Sequence, residues 1–190
     1  MKKMLLQIAA LTAIAAVCAA LLAVVSRMTE EPIEAAAAKA EEAAVRAVLP
    51  QSAGTVRQIG AAPDGRKVFA GMAASGETVG YALSGSDPSG YGGRIKLMVG
   101  FTPDFKVVSY RKLEAAETPG LGAKLTSPKF SDQFAGKDAA AGLKVTKDGG
   151  EIVPITAATI TSRAVCGAVD DACKALQAHL KAAGVPPAAP

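Results

Sequence analysis

The sequence predicts an α+β protein. An N-terminal transmembrane helix and a helical stalk lead into a small, mainly antiparallel sheet packed by a C-terminal helix. Three observations predict this order. An unbroken apolar run opens the chain, period-two alternation fills its middle, and a helical repeat of small and aliphatic residues closes it. At 190 residues the chain has room for one globular domain plus extensions. The expected boundaries are 1–28 for the cytoplasmic N-terminus and membrane helix, and 29–65 for a helical stalk and linker. The globular domain takes 66–184, and 185–190 form a flexible tail.

After "MKK", the stretch Leu5–Val25 carries no charge, and Gln7 is its only strongly polar residue. As a helix it is long enough to cross about 30 Å of hydrocarbon. A cleaved signal peptide is the alternative. Signal h-regions run only about 7–15 residues, however, and no clean A-x-A site follows here. A lipoprotein signal would need a small residue before Cys18, and Val17 stands there. Lys2 and Lys3 favour a cytoplasmic N-terminus, with Arg27 reducing the charge asymmetry. The expected placement is a single pass through a bacterial inner membrane, the lipid bilayer as partner and the remaining chain periplasmic.

"TEEPIEAAAAKAEEAAVRAVLP" reads as the stalk helix. Thr29 is the expected cap, Glu30 and Glu31 suit the positive end, Pro32 fits a first turn and Pro50 stops it. From Lys67 the period changes to that of strands: "KVFAGMA", "TVGYALS", "RIKLMVGF" and "FKVVSYRKL". Ile95, Leu97, Val99 and Phe101 share one face by alternation, and "TPD" turns the last two strands into a hairpin. The glycines between Gly80 and Gly93 form no nucleotide P-loop and are expected at turns and close backbone contacts. "AAETPGLGAKLTSPKFSDQF", with Pro119, Gly120 and Gly122, is a loop whose backbone a ligand could approach. A plain surface loop is the alternative. Val165, Val169, Ala172, Leu176 and Leu180 then recur at helical spacing until Gly184.

Composition narrows the chemistry. Residues are 50% hydrophobic but only 4% aromatic, without Trp, so the core is built on Val, Ile and Leu. The net charge of +4, from 21 basic and 17 acidic side chains, is mild. There is no aromatic-basic stripe, and no nucleic-acid partner is expected. A single histidine, His179, leaves little material for a catalytic triad or a His-rich metal site, so neither catalytic nor metal-binding residues are assigned. Cys166 and Cys173, about 10 Å apart along a helix, are too distant for a disulfide. They read as small buried hydrophobes, with a metal or redox pair as the alternative.

One stretch asks for more than a fold. "PITAATITSRAV" sets Thr156, Thr159, Thr161 and Ser162 just ahead of the last helix, with small Ala157 and Ala158 between them. One hydroxyl is enough to cap a helix. With Thr161 or Ser162 as the cap, Thr159 lies before the positive helix end, where free amides favour phosphate. The stretch is either a phosphate site or a generously capped helix.

The pattern "VPITAATIT" is similar to the flavinylation motif of the FMN-binding domain family, Asp-x-hydrophobic-[Ser/Thr]-Gly-Ala-Thr-x-[Ser/Thr]. Ile155, Thr156, Ala158, Thr159 and Thr161 match. Ala157 replaces the glycine and Val153 the aspartate, with Glu151 two residues upstream. "ETPGLGAK", Glu117–Lys124, resembles the family's loop near the flavin, and "GYGGRIKLMVGF" the strand region before it. Across nearly the whole chain the layout resembles, within that family, the G subunits of Rnf-type electron-transport complexes. The resemblance implies FMN joined covalently, as a phosphoester, to Thr159 by a separate flavin transferase that uses FAD. It places Thr156, Ala157, Ala158, Thr161, Glu117, Thr118, Gly120, Leu121 and Gly122 around the cofactor. It implies an electron-carrying subunit, not catalytic alone, working with the other subunits of a ferredoxin:NAD-type ion-translocating membrane complex. The alternatives are a C-type subunit of sodium-translocating NADH:quinone reductase and an unmodified structural subunit whose threonines only cap a helix.

Overall fold

The computed structural model describes residues 2–184, so the expected tail at 185–190 lies outside the described residues. Two compact units divide the chain, residues 1–40 and 41–190. The described residues of the first all belong to α1 (Lys2–Val48). α1 is the one helix among the described residues long and apolar enough to span a membrane.

The expected start of a stalk helix at Thr29 is corrected by α1, which runs through that position. Pro32 lies inside the helix, and the Thr29 hydroxyl donates to the carbonyls of Val25 at 3.0 Å and Ser26 at 3.1 Å instead of capping. That back-bonding uses up the cap oxygen within the preceding turn. Pro32 is tolerated because the turns on either side continue as helix.

The second unit begins with the last turns of α1 and continues into a five-stranded sheet. Its strands are β1 (Thr55–Ala61), β2 (Lys67–Met72), β3 (Thr78–Gly90), β4 (Gly93–Phe101) and β5 (Val107–Glu114). Spatial order follows chain order, and every neighbouring pair is antiparallel. The four expected strands and the "TPD" hairpin are present. β1 is an addition, formed where a linker was expected. The glycine-rich stretch lies mostly within β3, and Gly80, Gly85, Gly90 and Gly92 make the expected close backbone contacts.

The sheet buries both faces. Ile95, Leu97, Val99 and Phe101 are all solvent-inaccessible and pack in one core with Val165, Val169, Ala172 and Leu176 of the C-terminal helix α3 (Thr159–Ala182). Met98 and Ala82 point the other way, into a smaller cluster with Val45, Val48 and Leu49. Alternation along β4 therefore serves two cores. α3 lies tightly on β3 because Gly85 has no side chain: a Cβ there would sit 2.0 Å from the carbonyl oxygen of Ala168. Cys166 and Cys173 are free thiols packed in the main core, and burial pushes the pKa of both up to about 12. Gly184, at φ 68°, follows the helix end as expected.

Between β5 and α3 the chain forms a 3-10 turn (Gly122–Thr126), the short helix α2 (Pro128–Ser131) and two further 3-10 turns (Asp132–Phe134 and Thr146–Asp148). Tyr110 of β5 anchors the first of these. Its buried phenol donates to the Leu125 carbonyl, and its ring meets Phe134 edge-on with centroids 5.3 Å apart. Burial raises the Tyr110 phenol far above its ordinary value, so it remains a donor. The Glu117–Gly122 loop is thereby fixed close to the start of α3.

Candidate functional site: a cleft at the start of the last helix

α3 begins at Thr159, with Ala158 at the N-cap position and no capping side chain. This corrects the expectation that Thr161 or Ser162 caps it. Both hydroxyls lie inside the first turn and are engaged elsewhere. Ser162 is fully buried, donates to the Ala158 carbonyl and accepts from the Ile155 amide, each at 2.9 Å. Thr161, 1% exposed, donates to a Glu117 carboxylate oxygen at 2.7 Å. The helix thus starts with its positive end free of any side-chain cap, the condition under which an anion is favoured.

Glu117 clasps three segments. Its other oxygen accepts from the Gly92 amide at 3.3 Å, at the tip of the β3–β4 hairpin. Gly122 lies against the clasp: a Cβ there would stand 2.1 Å from the Glu117 carboxylate and 2.8 Å from the Thr161 hydroxyl. The motif glycine is required by close packing. Gly120, at φ 77°, serves the turn, which closes through bonds from the Leu121 and Ala123 amides to the Thr118 carbonyl, each 3.2 Å.

A cleft of about 450 Å³ opens between these segments. Tyr91, Glu117, Thr118, Leu121, Gly122 and the run Ala157–Thr161 line it. Its volume falls within the range of about 300–1,000 Å³ found for small-molecule sites. Tyr91, Ile160 and Leu121 are 70%, 48% and 41% exposed, so an apolar ring would find uncovered apolar partners. Thr159 is half-buried, with the Lys147 ammonium 3.2 Å from its hydroxyl. Exposed apolar side chains, a hydroxyl at a helix start and a cation beside it are features that a flavin phosphate could use. Thr156 is exposed and borders a neighbouring depression with Lys124, Lys129 and Gln133. Gly120 is not among the cleft-lining residues.

Ala157 has φ 60°, in the left-handed region. The residue standing where the motif has glycine is therefore strained, not merely small. Replacing it with glycine relieves roughly 1–2 kcal/mol of strain and returns part of that as unfolded-chain entropy. We expect Ala157→Gly to stabilise the domain by about 0.5–1 kcal/mol, read from denaturant unfolding. A lower midpoint would contradict the strain.

Sequence reasoning missed Tyr91, Ile160 and Lys147. Tyr91, an aromatic flanked by glycines at a hairpin tip, carried a readable signal. Lys147 did not, because it reaches Thr159 only through the folding of a non-repetitive loop. Arg163 and Asp148 join that loop to α3 by two bonds of 2.7 Å. The Arg163 guanidinium holds the Asp148 carboxyl below its ordinary range.

The family model described as "FMN-binding domain" matches residues 90–174, the stretch that holds β4, β5, the connecting loops and most of α3. A relative from Methanosarcina acetivorans, the G subunit of an ion-translocating oxidoreductase complex, is 34% identical over 171 residues, covering 87% of this chain and 90% of that one. The chain belongs to this family of G subunits of ion-translocating oxidoreductase complexes. The G subunit of the Na(+)-translocating ferredoxin:NAD(+) oxidoreductase complex of Acetobacterium woodii is 42% identical over 101 residues, 50% of this chain and 48% of the relative. Against that relative the alignment spans about half the length. Among solved structures, Shewanella oneidensis NqrC shares the fold with a TM-score of 0.54 at 21% identity, covering 64% of this chain and 62% of that chain.

Proposed function

We propose that this protein is a membrane-anchored electron-transfer subunit carrying FMN as a phosphoester on Thr159. It works with the other subunits of an Rnf-type, ferredoxin:NAD-type ion-translocating complex in the bacterial inner membrane. The observation that carries the reading is Thr159 itself. Its hydroxyl opens the 24-residue helix α3, lines the cleft and has a cation at hydrogen-bond distance. Family membership supports the flavin, and the relatives named for ferredoxin and NAD support the complex.

When bound, FMN would supply one-electron redox chemistry that no side chain here offers. The protein's contribution is position and environment. The helix start and Lys147 favour the phosphate. Thr118, Leu121, Gly122, Ala157, Ala158 and Ile160 line the cleft. Thr161 keeps Glu117 in place. A covalent tether suits a domain outside the cytoplasm, because it keeps the cofactor at a fixed high local concentration. Maturation then needs a flavin transferase with FAD, since a threonine hydroxyl is too weak a nucleophile unaided. The stretch Met4–Ser26 carries no charged residue, so the ion path belongs to other subunits.

The chain co-expressed with a flavin transferase gives a fluorescent band on a denaturing gel. A dark band would favour an unmodified structural subunit. For orientation, a reporter active only in the periplasm and fused after Pro190 is expected to work. Activity of a cytoplasm-only reporter at the same point would reverse the topology.

A further inference from the structure

Resting on the proposed attachment at Thr159, we infer that Lys147 is a positioning residue for the phosphate there, itself held in place by the Asp148–Arg163 pair. Lys147 lies on the 3-10 turn Thr146–Asp148, which is tightly built. The Thr146 amide donates to the Ile152 carbonyl at 2.8 Å, and the Ile152 amide to the Lys144 carbonyl at 3.1 Å. Val145 and Ile152 at its base are buried in the main core. From outside, both Asp148 oxygens engage Arg163 of α3. The turn therefore moves with the helix that bears Thr159.

The Lys147 ammonium is not locked in a salt bridge. The nearest carboxylate in sequence, Asp148, is occupied by Arg163, and Lys147 forms no ion pair among the described residues. Its one side-chain bond goes to a neutral hydroxyl. An ammonium placed on an alcohol in the first turn of a helix that has no side-chain cap sets two sources of positive charge near one oxygen. A phosphate on that oxygen would satisfy both, and the flexible lysine stem can follow its free oxygens outward.

The same placement bears on the transfer step. The Thr159 hydroxyl oxygen bonds to the flavin-side phosphorus of FAD, and the pyrophosphate P–O bond breaks. Adenosine monophosphate leaves with the bridging oxygen, the hydroxyl proton passes to a base of the transferase, and no electrons change hands. Lys147, already protonated, is not that base. It neutralises charge as the phosphate arrives and holds the hydroxyl oxygen in place until then.

The test uses the full-length chain in detergent with purified flavin transferase, FAD and magnesium. The readout is the initial rate of flavin incorporation, from in-gel fluorescence. Lys147→Met is expected to slow incorporation about tenfold, the worth of one charge-assisted hydrogen bond. Lys147→Arg should recover most of the rate, and Lys147→Glu should fall below Lys147→Met. Added salt should narrow the gap between wild type and Lys147→Met, because the charge is exposed. Matching thermal midpoints would show that the variants fold alike. Lys147→Met at the wild-type rate, or Lys147→Arg no faster than Lys147→Met, would overturn the inference while leaving the flavin on Thr159. A wild-type chain that takes no flavin at all would overturn the proposed function and this inference with it.

Discussion

Thr159→Ala, co-expressed with a flavin transferase, is expected to give a chain of normal abundance with no fluorescent band on a denaturing gel. The loss should be complete, because no other hydroxyl in the stretch shares its surroundings. Thr161 is buried and committed to Glu117, and Ser162 is buried between the Ile155 amide and the Ala158 carbonyl. Thr156 is exposed but borders the neighbouring depression. Thr156→Ala should therefore dim the band without removing it. Mass spectrometry of the wild-type peptide Asp148–Arg163 should show one added FMN, absent from the variant. A fluorescent Thr159→Ala chain, with the added mass on another hydroxyl, would show that a different residue is the acceptor.

Gly122→Ala is expected to have the largest structural effect at the site. The added methyl would stand 2.1 Å from the Glu117 carboxylate, so the clasp must open or the loop must shift. Overpacking of this kind costs about 1–3 kcal/mol. Gly120→Ala is the informative comparison. Gly120 has φ 77°, but a Cβ there would meet nothing within 4 Å, so only backbone strain is added, about 1–2 kcal/mol. Gly122→Ala should alter the absorption spectrum of the attached flavin, because it displaces Thr161 and Glu117 at the cleft wall. Gly120→Ala should alter it less. Equal spectra for the two variants would place the flavin away from the clasp.

Much of this architecture is legible in the sequence, for identifiable reasons. The alternation Ile95, Leu97, Val99, Phe101 marks β4 because one face of that strand is buried in the main core that α3 closes. The spacing of Val165, Val169, Ala172, Leu176 and Leu180 marks α3 for the reciprocal reason. β1 is hidden because its edge position leaves most of its residues exposed, and "TVRQIGA" has no run of alternation to read. The stalk start at Thr29 misleads because a Thr–Glu–Glu–Pro sequence has every mark of a cap, while a hydroxyl can equally bond back into the turn before it.

The site divides in the same way. The threonine run and the "ETPGLG" loop stand out locally, yet neither shows that Thr161 reaches Glu117 or that Lys147 reaches Thr159. Those pairings span 44 and 12 residues. The helix start moves to Thr159 for a related reason. Ser162 spends its hydroxyl on the amide of Ile155, a choice visible only once the "PITAA" turn is folded.

The Glu117 clasp makes the proposed attachment site a property of the finished tertiary structure rather than of a linear tag. Its contributors come from the β3–β4 hairpin tip, the loop after β5 and the helix that closes the domain. A nascent chain that has emitted everything up to residue 150 holds half of the walls and none of the acceptor. Until α3 has docked, the threonine lies in open chain, apart from the Glu117 clasp and from the Lys147 ammonium. An enzyme that recognises the assembled cleft would load cofactor only onto domains that have completed folding, so flavin fluorescence would double as a count of correctly finished molecules.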